Sequence, residues 1–325
     1  MKQVLFAGER LFMKFGSLDY FHRRLDAAGY GMISADGMSG EEMADTNASA
    51  IVVIAEPVTA PLLRSLRSCE FVMTLSVGYD CVDVAAATEI GIPVSNCPSY
   101  CSDDVANHAL ALLLAVSRKL HYTTPRVMKG NWGYDYAKPI YRYSGRQLGI
   151  IGFGKIGRSM VAKASGLGFE IAAYDPYVAE DIFERFGVRR SYELDELLMS
   201  SDYITIHAPL NEETRHLLDR AAFARMKPDS VVVNTARGPI IDQQALVEAL
   251  DDRVIGGAGI DVLETEPPTF DDPILQCEEA LVTPHIAWYS EESFEANKIL
   301  GMDELIRVLD GGRPRYVVNP AIYGA

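Results

Sequence analysis

The chain has 325 residues, of which 48% are hydrophobic and 23% charged, and 45 acidic against 30 basic side chains give it a formal net charge of -15. This length is sufficient for two ordinary globular domains with separate cores. A strongly negative chain has no general attraction for a phosphate backbone or an anionic membrane surface. The composition therefore argues against nucleic-acid and membrane partners, and a few local cations must hold any anionic ligand.

The N-terminal region and the cysteines predict a soluble, cytoplasmic protein. The first apolar stretch is short and is interrupted by Glu9 and Lys14, unlike the core of a signal peptide. Five cysteines are too few and oddly numbered for a disulfide framework, which suits a reducing compartment. Cys97 and Cys101 have no second Cys or His pair at zinc spacing, so we expect no metal site.

Apolar strand-like runs alternate with helical patterns from the start of the chain. The first series predicts strands at residues 3–7, 50–55, 71–76 and 93–96, with helices at 18–28, 60–67 and 82–90. A long helix is predicted from about residue 103 to 120. The second series predicts strands at residues 148–151, 170–174, 203–206, 230–234, 257–261 and 280–282.

Such alternation is typical of parallel sheets covered by helices. The predicted fold class is α/β, with two parallel-sheet domains of Rossmann-like or flavodoxin-like type, one inserted into the other. An amphipathic helix at 291–309 follows the second series, and the tail after it is expected to return to the first domain. We therefore predict one domain of residues 1–100 plus 291–325 and a second domain, inserted into it, over 101–290.

A glycine motif directly follows the strand predicted at 148–151. It reads Gly152-Phe153-Gly154-Lys155-Ile156-Gly157 and opens a helix predicted over 158–166. In G-x-G-x-x-G the first glycine makes a tight turn, the second lets the backbone approach a pyrophosphate, and the third lets helix and strand pack closely. The helix N-terminus adds aligned N–H donors.

The next strand ends in Asp175, eighteen residues after Gly157, where a carboxylate can accept hydrogen bonds from ribose hydroxyls. The alternative is that Asp175 only caps a loop. Because Pro176 rather than an arginine follows, the motif favours NAD over NADP. The inserted domain is therefore predicted to bind NAD, and the domain of residues 1–100 plus 291–325 to bind the substrate. The motif predicts a cofactor but not a reaction, since methyltransferases also use Rossmann-type sheets.

Three later strands are each followed by a group that a 2-oxo acid reductase needs. Arg237, Glu266 and His285 lie just beyond the strands predicted at 230–234, 257–261 and 280–282. A cation can hold the substrate carboxylate, and an imidazole kept charged by a carboxylate can protonate the carbonyl oxygen. Ligands bind at this end of the strands in open α/β sheets.

Here the chain resembles the D-isomer-specific 2-hydroxyacid dehydrogenases, over residues 76 to 320, and is most similar to the C-terminal-binding-protein-like and phosphoglycerate-dehydrogenase-like branch. The motifs that carry the resemblance are Asn234-Thr235-Ala236-Arg237-Gly238, Asp261-Val262-Leu263-Glu264-Thr265-Glu266-Pro267 and Thr283-Pro284-His285-Ile286-Ala287. The resemblance implies that Arg237 binds the substrate carboxylate and carbonyl, that His285 is the general acid in reduction, and that Glu266 pairs with His285.

The resemblance also implies the surroundings of these groups. Val77 and Gly78 match a loop whose N–H groups meet the substrate carboxylate, and Trp288 is expected to wall the substrate pocket, unless it only packs between domains. The implied cofactor site adds Val105, Ala208, Pro209, Thr235, Asp261 and His285 to the glycine motif and Asp175. Asn107 stands where many members carry Glu. His108, in an apolar helix, is predicted to be a core residue.

Thr74 stands where relatives of this branch usually carry an arginine, so we predict an unphosphorylated 2-oxo acid as substrate. The expected reaction is hydride transfer between NAD and C2 of a small 2-oxo or D-2-hydroxy acid. The alternative is an NAD(H)-responsive, corepressor-like binding dimer with a vestigial site. The resemblance further implies a homodimer formed through the NAD-binding domain and the long helix.

Overall fold

The computed structural model describes residues 1–8 and 18–324. The chain divides into two compact units: the first comprises Met1–Tyr100 and Ser290–Ala325, and the second comprises Cys101–Tyr289. Each unit contains one parallel β-sheet, which confirms the predicted α/β class with two parallel-sheet domains. Within the described residues, no helix is both long enough and apolar enough to span a membrane.

The first unit is built on a five-stranded sheet in the order β2-β1-β3-β4-β5, with every neighbouring pair parallel. Its strands are β1 (Gln3–Phe6), β2 (Gly31–Ser34), β3 (Ala50–Val53), β4 (Phe71–Thr74) and β5 (Val94–Ser95). Its helices are α1 (Asp19–Ala27), α2 (Gly40–Asp45), α3 (Ala60–Ser65), α4 (Val84–Glu89) and, near the C-terminus, α12 (Glu291–Leu309). All residues of β3 and β4 are buried, as expected for strands covered on both faces.

The tail after α12 contacts the edge of this sheet. Val318 donates its N–H to Val94 O (2.7 Å), and Asn319 Oδ1 accepts from Val94 N (2.9 Å). Strand β2 and helix α2 were not predicted from the sequence. A detectable signal preceded α2, because Ser39 and Glu42 form a capping box in which each side chain accepts from the other's backbone N–H.

The second unit is built on a seven-stranded sheet in the order β12-β11-β10-β9-β6-β7-β8. Its strands are β6 (Gln147–Ile151), β7 (Glu170–Tyr174), β8 (Arg189–Ser191), β9 (Tyr203–Ile206), β10 (Val231–Asn234), β11 (Gly257–Ile260) and β12 (Ala280–Val282). Its helices are α5 (Ser102–Ser117), α6 (Leu120–Met128), α7 (Lys155–Ser165), α8 (Glu180–Phe186), α9 (Leu194–Ser200), α10 (Arg220–Arg225) and α11 (Gln243–Asp251).

The long helix predicted from about residue 103 to 120 is present as α5, but it ends at Ser117. Lys119 adopts a left-handed conformation with φ of 57° and separates α5 from a second helix, α6. Its ammonium donates to Gly256 O at 2.9 Å, which holds the break against the start of β11. The edge strand β8 was also missed, since its Arg-Arg-Ser sequence lacks an apolar run.

Candidate active site

The predicted catalytic side chains follow three adjacent strands, β10, β11 and β12, and the two that follow β11 and β12 are in direct contact. His285 Nδ1 lies 2.6 Å from Glu266 Oε2, and both side chains are partly open to solvent, with 42% and 35% exposure. The other oxygen of Glu266, Oε1, accepts from Leu263 N at 2.8 Å. Since a carboxylate oxygen only accepts, the proton of this pair lies on Nδ1, and Nε2 is the nitrogen left for chemistry.

Arg237 follows β10, the neighbouring strand. Its Nη1 donates to Ala236 O at 2.7 Å, and its own carbonyl accepts from Asn234 Nδ2 at 2.8 Å, so both side chain and backbone are anchored at the strand end. Burial alone would raise the pKa of Glu266. The hydrogen bond and charge of His285, the Leu263 N–H and the charge of Arg237 together lower that pKa below its usual value. Glu266 is therefore an anion near neutral pH.

The loop that carries His285 is held by a buried carboxylate. His285 has φ of 53°, a conformation that non-glycine residues seldom adopt. Asp261 has a side chain with 0% exposure, and its oxygens accept from Ile286 N (3.0 Å) and Ala287 N (2.8 Å). Trp288 Nε1 donates to His285 O at 3.0 Å. The predicted cofactor contact of Asp261 stays a prediction, and the two amide contacts of its carboxylate hold this loop.

The glycine motif has the geometry that its sequence predicts. Gly152 has φ of 88°, and a Cβ there would lie 2.5 Å from Ala208 N. A Cβ on Gly157 would lie 2.3 Å from Gly152 O, whereas one on Gly154 would meet nothing within 4 Å. Gly154 is the N-cap of α7, so the helix begins at Lys155 rather than at residue 158 as predicted. The first and third glycines permit close packing, and the second leaves the backbone open for a ligand.

Asp175 lies at the end of β7 and contacts the glycine motif. Its Oδ2 accepts from Phe153 N at 2.8 Å, and its Oδ1 accepts from Tyr177 N at 3.0 Å. The carboxylate thus supports the loop between the first two glycines. Each carboxylate oxygen has a second lone pair, so this role is compatible with the predicted ribose contact, which stays a prediction.

The remaining cofactor positions line the same sheet edge or α5. Val105, Ala208 and Thr235 are 6%, 8% and 7% exposed. Within the described residues, Thr235 Oγ1 is buried and has no hydrogen-bond partner. Pro209, by contrast, is exposed and follows Ala208 in the chain. A buried hydroxyl without a partner, at the same sheet edge as the open glycine loop, fits a polar ligand there.

Two predicted substrate residues lie in the first unit, just after β4. Val77 O accepts from Asn96 Nδ2 at 2.6 Å, and Gly78 O accepts from Ser76 Oγ at 2.5 Å. Both carbonyls are therefore held by side chains. Thr74 is fully buried on β4, with its hydroxyl 3.5 Å from Ser95 O.

The expectation that His108 is a core residue was wrong. Its side chain is 22% exposed, and its Nε2 lies 3.0 Å from Thr283 Oγ1, two residues before His285. The contact between His108 and Thr283 was not predicted from the sequence. The Thr283-Pro284-His285 run marks the loop, but nothing in the sequence pairs a helix residue near 108 with a strand end near 283.

Comparison with known proteins gives the chain its relatives. Residues 110–287 match the family model for the D-isomer specific 2-hydroxyacid dehydrogenase, NAD binding domain. D-3-phosphoglycerate dehydrogenase of Methanocaldococcus jannaschii is 36% identical over 88% of this chain, which spans 55% of that protein's length. Glyoxylate reductase of Korarchaeum cryptofilum is 35% identical over 84% of this chain and 82% of its own.

A solved structure agrees with these matches. D-lactate dehydrogenase from Aquifex aeolicus, complexed with NAD and lactic acid, superposes with a TM-score of 0.83 at 27% identity, covering 95% of this chain and 96% of that one. The comparisons confirm the resemblance inferred from the three motifs. They also agree with the prediction of NAD as cofactor, since the matched family model is an NAD binding domain.

Proposed function

The chain belongs to the D-isomer specific 2-hydroxyacid dehydrogenase family of NAD-dependent oxidoreductases, and we propose that it interconverts a small unphosphorylated 2-oxo acid and its D-2-hydroxy acid. The observation that carries this proposal is the 2.6 Å contact between His285 and Glu266, at the strand ends where Arg237 is also anchored. A binding protein that used only its cofactor site would have no need for this arrangement.

NAD fits the residues of the second unit. The open face at Gly154 and the first N–H groups of α7, from Lys155, Ile156 and Gly157, suit a pyrophosphate. Asp175 suits the ribose hydroxyls, and Thr235 has a buried hydroxyl that lacks a partner within the described residues. Further contacts are proposed from Val105, Ala208, Pro209, Asp261 and His285. When bound as NADH, the cofactor supplies the hydride for C2.

The chain's own side chains supply orientation and the proton. Arg237 binds the carboxylate and carbonyl of the 2-oxo acid, because its planar fork matches a carboxylate. His285 donates a proton from Nε2 to the oxygen on C2, while Glu266 keeps Nδ1 protonated and favours the charged imidazolium. In oxidation of the hydroxy acid, His285 accepts that proton instead.

The loop at Val77 and Gly78 is proposed to bind the substrate carboxylate through its N–H groups. The support is local: Asn96 and Ser76 hold both carbonyls, which directs the peptide units of this loop. Trp288 is proposed to limit substrate size, since its indole is anchored to His285 O.

An unphosphorylated substrate is proposed because no arginine stands at Thr74, and a glyoxylate reductase among the relatives acts on such an acid by its name. The test measures NADH oxidation with glyoxylate, hydroxypyruvate, pyruvate, 4-methylthio-2-oxobutyrate and phosphohydroxypyruvate. NADPH and the His285→Ala variant serve as controls. A higher kcat/KM for phosphohydroxypyruvate than for every other acid would overturn the substrate proposal. Tight NADH binding without turnover on any acid would support the corepressor-like alternative.

We also propose a homodimer formed through the second unit, including α5. Large apolar side chains are exposed in the segment after this helix, among them Met128 (82%), Trp132 (90%) and Tyr134 (73%). Light scattering coupled to gel filtration tests the proposal, with a Trp132→Ser and Met128→Ser double variant to weaken the interface. A monomer at working concentration would contradict it. The cytoplasmic location stays a prediction.

A further inference from the structure

A chain of three polar groups connects α5 to the loop that carries His285. His108, on α5, places Nε2 3.0 Å from Thr283 Oγ1. Thr283 Oγ1 in turn lies 2.6 Å from Asp261 Oδ1, and His108 Nε2 lies 3.5 Å from the same carboxylate oxygen. All three residues belong to the second unit.

The positions of the protons in this chain follow from its donors and acceptors. The Asp261 carboxylate accepts from two backbone N–H groups. Since a carboxylate oxygen only accepts, it is also the acceptor for the Thr283 hydroxyl. A threonine hydroxyl has a single proton, which Thr283 donates to Asp261. Thr283 Oγ1 must therefore accept from His108, and the His108 proton lies on Nε2.

Asp261 in turn holds the backbone on both sides of the His285 side chain. Its backbone carbonyl accepts from His285 N at 2.8 Å, and its carboxylate accepts from the next two amides, those of Ile286 and Ala287. His285 has a left-handed backbone, which is maintained only when its surroundings hold it. A shift of the carboxylate would move the Ile286 and Ala287 amides, which directly follow His285.

We infer that His108 is a positioning residue that acts on His285 through Thr283 and Asp261; this inference rests on the proposed function. The helix is a firm support, because α5 packs against β10, β11 and β12. Donation from His108 fixes the Thr283 hydroxyl in the orientation that points its proton at Asp261. A leucine at 108 would fill a similar volume but would leave Thr283 free to rotate.

The experiment compares His108→Leu with His108→Gln, whose side-chain amide can donate in place of Nε2. For each variant we would measure kcat, the KM of the preferred 2-oxo acid, the Kd of NADH, the Tm, and hydrogen exchange at Ile286 and Ala287. Thr283→Val and Thr283→Ser form a second pair, which removes or keeps the hydroxyl. Thr123→Val is the matched control, since the Thr123 hydroxyl donates to Lys119 O in the turn before α6.

We expect His108→Leu and Thr283→Val to lower kcat by about tenfold or more, since a small misplacement of a catalytic group is costly. Exchange at Ile286 and Ala287 should be faster, while the Kd of NADH stays within about twofold of the wild-type value. His108→Gln and Thr283→Ser should retain most of the wild-type kcat. Thr123→Val should leave kcat unchanged.

Three outcomes would overturn the inference: wild-type kcat and exchange in His108→Leu, a His108→Gln variant as impaired as His108→Leu, or a loss of NADH affinity with unchanged kcat. If His285→Ala is inactive while His108→Leu is fully active, the proposed function holds and only this inference fails. If the wild-type protein reduces no 2-oxo acid, the proposed function fails. Hydrogen exchange then decides whether His108 holds the loop.

Discussion

Two histidine–glutamate pairs in the second unit have nearly the same local geometry. His285 Nδ1 lies 2.6 Å from Glu266 Oε2, and His216 Nε2 lies 2.7 Å from Glu264 Oε1. Both histidines have left-handed backbones, with φ of 53° and 51°, and both pairs are about equally exposed. Distance and exposure therefore do not identify a catalytic pair.

The surroundings of the two pairs differ. The loop of His285 is clamped by the buried Asp261 carboxylate, and Arg237 is close enough for its charge to lower the pKa of Glu266. In the pair of His216 and Glu264, the carboxylate instead contacts the backbone of Gln243, whose amide N lies 3.4 Å from Glu264 Oε1. A cation beside one pair and a fixed backbone beneath it are what a hydride-transfer site requires, and the second pair serves as an internal control.

The largest expected contrast is between the two histidines. His285→Ala should lower kcat by roughly a thousandfold, in line with the loss of a general acid–base group. His216→Ala should leave kcat within about twofold of wild type, since its imidazole pairs with Glu264 at a surface turn. Steady-state NADH oxidation measures both. Equal losses in the two variants would show that the comparison assigns the wrong pair.

Variants of Glu266 and Glu264 should differ in kcat in the same direction as the two histidine variants, but by a smaller factor. Glu266→Gln keeps the shape and removes the charge that fixes the imidazole, so kcat should fall by roughly tenfold to a hundredfold, the equivalent of one charged hydrogen bond. Glu264→Gln should retain wild-type kcat. Single-turnover rates with each variant provide the measurement, and an unchanged rate in Glu266→Gln would contradict its proposed role.

A third histidine, His207, has no carboxylate partner among the residues that the structure describes, and it tests what burial does to the pKa of an imidazole. Burial lowers the pKa of His207 to about 3, while its Nε2 lies 3.0 Å from Thr205 Oγ1. The unfolded chain binds a proton below its ordinary pKa of about 6.5, whereas the folded protein does not until about 3. Stability contributed by this site is thus present above pH 6.5 and is lost as the pH falls.

We therefore expect the free energy of unfolding to lose about 1.4 kcal/mol per pH unit from this site between pH 6.5 and 3. His207→Gln removes the titrating group, so the free energy of unfolding of the variant should lack this pH dependence. The excess stability of the wild type over the variant should therefore shrink by about 1.4 kcal/mol for each unit by which the pH is lowered. Urea unfolding at several pH values measures it, and parallel curves for the two proteins would refute the assignment.

The smallest expected effect is on the free energy of unfolding when the pair of His216 and Glu264 is broken. The side chains of His216 and Glu264 are 45% and 33% exposed, and exposed ion pairs contribute at most about 1 kcal/mol. His216→Gln should therefore change the free energy of unfolding by less than about 1 kcal/mol. Thermal and urea unfolding check this, and a loss of several kcal/mol would mean that the pair holds its loop more firmly than exposure suggests.

Local pattern was sufficient for most of the fold. Strand β7 and helix α12 occupy the ranges predicted for them, because apolar periodicity and a capping serine act over a few residues. Strand β8 lacks that periodicity, and the break at Lys119 depends on a contact with Gly256, more than a hundred residues away. Such a contact leaves no trace in the local pattern.

The family, the glycine motif and the three candidate groups Arg237, Glu266 and His285 could be predicted from the sequence, since each stands in a motif of a few adjacent residues. The structure was needed to show that Glu264 pairs with His216, and that His108 joins a polar chain instead of the core. A hydrogen bond forms only where donor and acceptor meet at the right distance and angle. Here the donors and acceptors lie on strand ends and a helix that are far apart along the chain, so no local motif predicts them.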